Sequence, residues 1–189
     1  MDYAHLVSTS CSGAPVSSAH QVVSFSDKDL ADVQMPHNDP LFITFRFGDY
    51  DVQRVLVDQG SFAEIMYKGL YEKLGLKEAD LANFTAPVFG FTGESTIPMG
   101  KTTLPVLAGS ISLQTEFIVI RGSLPYNAIV GRNWLHRMKV VPSTLHQKLR
   151  FPTEEGVMEV NGDQVTAKQC VLAAIAQKSP EDEHPTEVS

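Results

Sequence analysis

The residues best suited to chemistry form a short run at the end of an apolar segment, Val55-Leu56-Val57-Asp58-Gln59-Gly60-Ser61. A carboxylate directly after a buried strand is costly unless it is paired, hydrogen-bonded or functional. Gly60 permits a tight turn and a close approach of a ligand to the backbone, and Ser61 can donate a hydrogen bond to the carboxylate. Two interpretations are open: Asp58 is catalytic, or it caps a helix that begins near Phe62.

A second apolar run that ends in glycine, Ile129-Val130-Gly131, lies roughly 70 residues further along the chain. Such a run is common by itself. Here it follows Asp-x-Gly-Ser in a fixed order, with an aromatic hairpin containing two glycines, Val88 to Ile97, between them. That order is uncommon, and it favours the catalytic interpretation of Asp58.

Short strands must position these residues. Alternating and β-branched apolar residues, punctuated by Gly, Asn and Asp, predict strands at eight places along the chain. These are 41–47, 52–57, 88–97 (as a hairpin), 103–107, 111–120, 128–130, 145–151 and 157–160. A tight hairpin turn is expected at Asn161-Gly162. The pattern is typical of a small, mostly β, barrel-like domain.

Helical spacing appears at three places. Apolar residues from Phe62 to Leu74 recur every three or four positions, which predicts a helix directly after the turn, ended by Gly75. A short helical turn is expected over 133–138 and a terminal helix over 165–177. The predicted order around Asp58 is therefore strand, sharp turn, helix.

The two ends of the chain differ from its middle. Residues 1–36 are interpreted as a largely disordered linker, 37–170 as the folded domain with a terminal helix to about 177, and 178–189 as an acidic disordered tail. The net charge is −7, and each end carries four acidic residues against one lysine. The middle is therefore close to neutral. Because nucleic-acid binders show a basic face, a direct nucleic-acid partner is not expected.

The composition limits which other classes of protein this chain can belong to. Hydrophobic residues make up 43% and charged residues 20% of the 189 residues, as in ordinary globular domains. No apolar stretch is long enough for a membrane helix, and the first residues do not form a signal peptide, so a cytoplasmic or other intracellular location without membrane contact is expected. The two cysteines and six histidines show no metal-ligand spacing, so neither a metal nor another cofactor is expected.

Longer motifs extend the pattern from about His37 to Cys170. They are Val57-Asp58-Gln59-Gly60-Ser61, Gly90-Phe91-Thr92-Gly93, Leu104-Pro105-Val106, Pro125-Tyr126-Asn127-Ala128-Ile129-Val130-Gly131-Arg132-Asn133-Trp134-Leu135 and Pro142-Ser143-Thr144-Leu145-His146. On these residues the chain resembles the retropepsin-like aspartic peptidases of gypsy-type LTR retrotransposon polyproteins, those of plant elements in particular. The stretches around Trp134 and His146 are far more specific than Asp-x-Gly alone.

The resemblance implies a fold and a set of roles. The fold is a closed acid-protease barrel with a flap hairpin, one helix after the catalytic turn and a short helix after the Ile-Val-Gly loop. By resemblance Asp58 is the catalytic aspartate, and Gln59, Gly60 and Ser61 complete its turn. The flap that closes over a peptide contains Phe89, Gly90, Phe91, Thr92 and Gly93. The loop behind the turn contains Ile129, Val130 and Gly131, and Arg132 makes ionic contacts near the dimer interface.

The number of catalytic aspartates in the sequence bears on the expected oligomeric state. Aspartic peptidases use two aspartates that share a proton, whereas this sequence contains a single Asp-x-Gly, at Asp58. An active enzyme is therefore expected to be a symmetric homodimer that contributes one Asp58 from each chain and processes a retrotransposon polyprotein. The family usually has Thr or Ser where this chain has Gln59, so the alternative is an inactive dimerisation or peptide-binding module on the same fold.

Overall fold

The computed structural model describes residues 21–90 and 93–177. Over these ranges the chain forms eleven strands, three α-helices and two short 3-10 turns. The strands are β1 Phe42–Phe47, β2 Tyr50–Val57, β3 Glu64–Tyr67, β4 Val88–Phe89, β5 Ser95–Thr96, β6 Gly100–Ala108, β7 Ile111–Ile120, β8 Ala128–Val130, β9 Val141–Ser143, β10 Lys148–Thr153 and β11 Gly156–Asn161. The helices are α1 Lys68–Lys73, α2 Arg132–Arg137 and α3 Gln164–Gln177, and the 3-10 turns are Asp27–Leu30 and Glu78–Asp80.

Six strands close into a barrel in the order β1-β2-β8-β3-β7-β6. Two hairpins supply most of it: β1 pairs with β2 across Gly48, and β6 pairs with β7 along nine residue positions. The short strand β8 runs parallel to β2 and antiparallel to β3. The mostly β closed barrel predicted from the sequence is thus confirmed.

The interior of the barrel is apolar and aromatic. The inward residues of β1, Phe45 and Phe47, are each 1% exposed, and Phe47 packs against Phe117 of β7 with ring centroids 5.0 Å apart. Trp134 of α2 closes one end of the core and meets Phe45 edge-on at 5.2 Å. Close packing at these positions holds the strand ends, and therefore the turn that follows β2, in one arrangement.

The predicted helix after the turn begins later than expected. The sequence predicts a helix from Phe62, but Glu64–Tyr67 form strand β3, and α1 begins only at Lys68. All four β3 residues are buried, because the strand runs parallel to β7 and is flanked by β8. A fully buried strand shows no alternation, so its apolar residues also match helical spacing. The predicted helix end at Gly75, where φ is +76°, is confirmed.

The hairpin predicted at Asn161-Gly162 is wrong. The β10–β11 hairpin turns earlier, between Thr153 and Gly156, and α3 follows directly after residue 163. Gly162 donates its N–H to the Gln147 carbonyl at 2.7 Å. Asp163 caps α3, since its carboxylate accepts hydrogen bonds from the backbone N–H and the hydroxyl of Thr166 at 2.9 and 2.6 Å. Helix capping therefore prevails over the turn signal.

A smaller sheet in the order β11-β10-β9 lies beside the barrel and carries the N-terminal segment. Arg150 of β10 pairs with Asp29 and with Glu159 of β11. The ring of Phe25 lies 4.8 Å from the Arg150 guanidinium and stacks on His146 at 5.1 Å. We call residues 21–34 the strap. It belongs to the segment that the sequence assigns to a linker, whereas residues 1–20 and 178–189 lie outside the described ranges.

Further contacts fix the C-terminal end of the strap. Gln34 donates its backbone N–H to the side chain of Gln164 at 2.9 Å, and the Gln164 amide donates back to the Gln34 carbonyl at 3.0 Å. Lys168 of α3 donates to the Gln34 side chain at 2.6 Å. The strap is thus bound both to the small sheet and to the start of α3. None of the helices in the described part is long and apolar enough to cross a membrane.

Candidate active site

Asp58 follows β2 at the point where this buried strand leaves the barrel. Its backbone N–H donates to the Val130 carbonyl at 3.0 Å, which continues the β2–β8 pairing by one residue. The half-buried carboxylate accepts the Gly60 N–H at 2.8 Å, and Ser61 donates its N–H to the Asp58 carbonyl at 3.2 Å. A Cβ at position 60 would lie 3.1 Å from that carboxylate oxygen. Glycine thus allows the acid to fold over its own turn.

This geometry removes the helix-cap interpretation of Asp58. No helix begins near Phe62, so Asp58 does not cap one. The carboxylate instead accepts a hydrogen bond from the backbone N–H of Gly60, two residues later, as aspartates in turns commonly do. Ser61 also differs from expectation: its hydroxyl donates to the Ala63 carbonyl at 2.7 Å and not to the Asp58 carboxylate.

The loop predicted to lie behind the turn does lie there. Arg132 donates its backbone N–H to the Ser61 carbonyl at 2.9 Å. A Cβ at Gly131 would lie 2.7 Å from the carbonyl oxygens of both Ser61 and Ala63, so only glycine fits between the two segments. Val130 is fully buried, and Ile129 faces the cavity described below. The Arg132 side chain is exposed, and its interface role stays a prediction.

A buried carboxylate that the sequence patterns do not indicate, Glu64, lies in the strand after the turn. Glu64 is 3% exposed and accepts the backbone N–H of Trp134 at 2.7 Å, with the side-chain amide of Asn133 at 3.5 Å. It therefore binds one of the free backbone N–H groups in the first turn of α2, from a strand distant in sequence. The apolar residues of this segment match helical spacing, and that pattern does not place Glu64 in a buried strand. An acid inside a four-residue apolar strand was the available signal.

The predicted flap is a short hairpin. Val88 pairs with Thr96 and Phe89 with Ser95, and Gly90 donates its N–H to the Glu94 carbonyl at 2.8 Å. Gly93 adopts a φ of +82°, which favours glycine. The remaining predicted tip residues, Phe91 and Thr92, lie outside the described ranges.

A cavity of about 600 Å³ opens between the Asp58 turn and this hairpin. Most of its lining is apolar, and Asp58 supplies its one carboxylate among the described residues. The lining residues are Asp58, Gly60, Ser61, Phe62, Ala63, Ile65, Tyr67, Val88, Phe89, Gly90, Thr96, Ile120, Tyr126 and Ile129. Gln59 does not line it; this side chain is exposed on the opposite side of the turn, beside Pro142 and Thr144.

Two tyrosines that sequence reasoning did not select, Tyr67 and Tyr126, form one wall of the cavity. Their rings meet edge-on with centroids 5.6 Å apart. Burial raises the pKa of Tyr67 well above its usual value. Burial also raises the pKa of Tyr126; the Tyr67 hydroxyl opposes that rise and the charge of Asp58 adds to it. Both phenols therefore stay protonated. The Pro125-Tyr126-Asn127 motif was the available signal.

The site thus has an acid at its base, an apolar wall and a hairpin opposite. A group of three or more His, Cys, Asp or Glu side chains that might hold a metal ion is not found within residues 21–90 and 93–177. One carboxylate beside an apolar cleft can hold and polarise a water molecule or bind a hydrogen-bond donor. Removing a proton from that water while polarising a carbonyl needs a second acid.

The fold that the barrel, turn and hairpin define is retropepsin-like. The retroviral protease-like domain of Ddi1 from Leishmania major superimposes with a TM-score of 0.54 at 20% identity, over 67% of this chain and 96% of that one. At these identities the likeness shows the fold alone.

Two other solved structures are more distantly similar. A retropepsin-like aspartic protease from Rickettsia conorii gives a TM-score of 0.45 at 19% identity, over 64% of this chain and 81% of that one. The EIAV protease complexed with the inhibitor HBY-793 gives 0.46 at 15%, over 58% and 97%. No protein-family model matches the chain, and no curated protein matches it significantly.

Proposed function

We propose that this chain is an aspartic endopeptidase that acts as a homodimer with one Asp58 from each subunit. The observation that carries the proposal is the position of Asp58: it is half-buried, folded over the Gly60 N–H, and placed at the base of an apolar cavity faced by a hairpin. The retropepsin-like fold supports the same reaction class. The resemblance to gypsy-type elements supports a retrotransposon polyprotein as the substrate.

The proposed mechanism needs both carboxylates. Two aspartates a few ångströms apart do not both ionise, so they hold one proton between them. The ionised acid takes a proton from a water molecule whose oxygen attacks the scissile carbonyl carbon, while the protonated acid donates to the carbonyl oxygen. The resulting gem-diol collapses as one of its hydroxyls gives a proton back to the ionised acid, the C–N bond breaks, and the nitrogen leaves with the proton held by the other acid. The hairpin closes over the peptide and excludes bulk water.

The decisive experiment is cleavage of a polyprotein segment that contains this domain with its native flanking sequence. The wild-type chain is expected to process the segment, and Asp58→Asn, which keeps the size of the side chain, is expected to abolish processing. Asp80→Asn, an exposed acid outside the cavity, serves as the matched control and should leave processing intact. Equal processing by the wild type and Asp58→Asn would overturn the proposal.

Dilution tests the assembly. Because a single chain supplies one carboxylate, activity per chain should fall as the protein is diluted below the dissociation constant of the dimer. Sedimentation velocity at the same concentrations should show the shift from dimer to monomer. Constant specific activity of a sedimenting monomer would contradict the shared site.

Gln59 supports a second candidate function. It is exposed, and no side-chain hydrogen bond of Gln59 is found within the described part of the chain, where the family usually has a hydroxyl. A longer and more flexible amide would hold two catalytic turns together less rigidly. The second candidate is therefore a dimeric peptide-binding module. Binding of extended peptides without any cleavage, and unaltered by Asp58→Asn, would favour it.

A further inference from the structure

Tyr126 is held more firmly than a residue in a connecting loop usually is. The next residue, Asn127, donates its backbone N–H to the Arg54 carbonyl at 3.0 Å and its side-chain amide to the Gln53 carbonyl at 2.7 Å. It also accepts the Tyr67 N–H at 3.1 Å. The loop is therefore fixed to β2 and to β3, which are the strands on either side of the catalytic turn.

The terminal helix supports the same loop from outside the barrel. The thiol of Cys170, which is 3% exposed, donates to the Pro125 carbonyl at 3.3 Å. The Tyr126 ring packs on Phe42 of β1 at 5.9 Å, within the small cluster that α3 covers. Tyr126 is thus positioned before any ligand binds, which reduces the ordering that binding would require.

The two phenols place hydrogen-bonding groups in a wall that is otherwise apolar. The neighbouring wall residues Ile65, Val88, Ile120 and Ile129 cannot hydrogen-bond through their side chains. The Tyr126 hydroxyl has no hydrogen-bond partner among the described residues other than the neighbouring Tyr67 hydroxyl. Its proton is therefore available to a group that enters the cavity.

A peptide that fills the cavity displaces the water that would otherwise hydrogen-bond to the Tyr126 hydroxyl. A side chain without an acceptor would leave the Tyr126 hydroxyl buried and unpaired, which costs more than the hydrogen bond gains when it is made. Sites built in this way discriminate against analogues that lack the polar group. We propose that Tyr126 is a specificity-determining residue that selects, beside the scissile bond, a large side chain with an apolar body and a hydrogen-bond acceptor at its tip, such as tyrosine.

This inference rests on the proposed peptidase function, and the experiment separates the two. A library of peptides from a digested proteome identifies cleaved sequences, and matched pairs with Tyr or Phe beside the scissile bond are then compared by kcat/KM. The wild type should prefer the Tyr peptide by about three- to tenfold, the range expected for one hydrogen bond. Tyr126→Phe should bring the ratio close to one. Tyr50→Phe, an exposed tyrosine outside the cavity, should keep the wild-type ratio.

The outcomes are distinct. Cleavage without a preference for Tyr, or a preference that survives Tyr126→Phe, overturns the specificity inference and leaves the peptidase proposal standing. If the chain cuts nothing, immobilised Asp58→Asn protein is used to select from a displayed peptide library. Enrichment of Tyr over Phe that is lost in Asp58→Asn/Tyr126→Phe then supports the inference without the peptidase. Failure to enrich any peptide overturns both.

Discussion

At the scale of single residues, the Asp58 turn depends on contacts that lie behind it. Gly131 lets the loop before α2 pass within van der Waals reach of the turn, and Glu64 ties the following strand to the same helix. Neither residue lines the cavity. The position of the Asp58 carboxylate is thus set largely by residues that lie outside the cavity.

Gly131→Ala should destabilise the domain. The new methyl group would lie 2.7 Å from two carbonyl oxygens, and insertion of one carbon into such a contact typically costs about 1–3 kcal/mol. Gly69→Ala is the matched control, because nothing lies within 4 Å of a Cβ at this exposed position of α1 and alanine favours helix. Urea unfolding measures both. Equal midpoints for the two variants would contradict the packing argument.

Glu64→Ala should also destabilise the domain, by about 1–3 kcal/mol, because the buried Trp134 N–H would lose its acceptor. Glu64→Gln keeps a carbonyl oxygen of similar reach and should recover part of that loss. The free energy of unfolding of the two variants, compared at one pH, tests this. If Gln is as damaging as Ala, the hydrogen bond is not the source of the stability.

The shape of the site was predictable from sequence where it depends on local residues. The Asp58 turn and the Gly131 loop each show in a few consecutive residues, because a tight turn needs glycine wherever it occurs. Sequence patterns do not reveal three further residues, Glu64, Tyr67 and Tyr126, because their contacts are with residues distant in sequence. Glu64 accepts a hydrogen bond from the backbone of Trp134 in α2, and the ring of Tyr126 packs edge-on against that of Tyr67.

At the scale of elements, the two hairpins of the barrel were predictable, whereas the isolated strand β3 and the turn of the β10–β11 hairpin were not. The β1–β2 and β6–β7 pairs have alternating residues and a glycine turn between them. Strand β3 has neither, since its partners β7 and β8 are distant in sequence and its four residues are all buried. Its identity as a strand is decided by tertiary pairing rather than by periodicity.

The strap should contribute stability that depends on pH. Hydrogen bonding to Arg150 lowers the pKa of Asp29 below its ordinary value of 3.8, so this contribution is complete above that value and is lost as the pH falls below it. In urea unfolding, the stability difference between the wild type and Asp29→Asn should be largest near pH 6 and shrink below pH 4. Asp27→Asn, in the same 3-10 turn, is the control, and a difference that is independent of pH would contradict the ion pair.

At the scale of the whole molecule, the proposed sharing of the site between two chains predicts that an inactive copy inhibits. When wild-type protein is refolded with a tenfold excess of Asp58→Asn, nearly all wild-type chains are expected to enter mixed dimers that hold a single acid. Activity per wild-type chain should fall to about a tenth, by random pairing, with the substrate in large excess. The same excess of an unrelated protein is the control, and undiminished activity would show that one chain suffices.

The strap has a practical consequence for any shortened version of this domain. A fragment that starts at His37 would lack the Phe25 ring and the Asp29 carboxylate, which both contact Arg150. His37 is the point where the barrel pattern begins in the sequence. The newly exposed surface would combine the Arg150 guanidinium of β10 with the ring of His146, which lies just before that strand. Such a fragment is expected to aggregate or to bind other polypeptides non-specifically. Fragments for crystallisation or assay should therefore begin at or before Gln21.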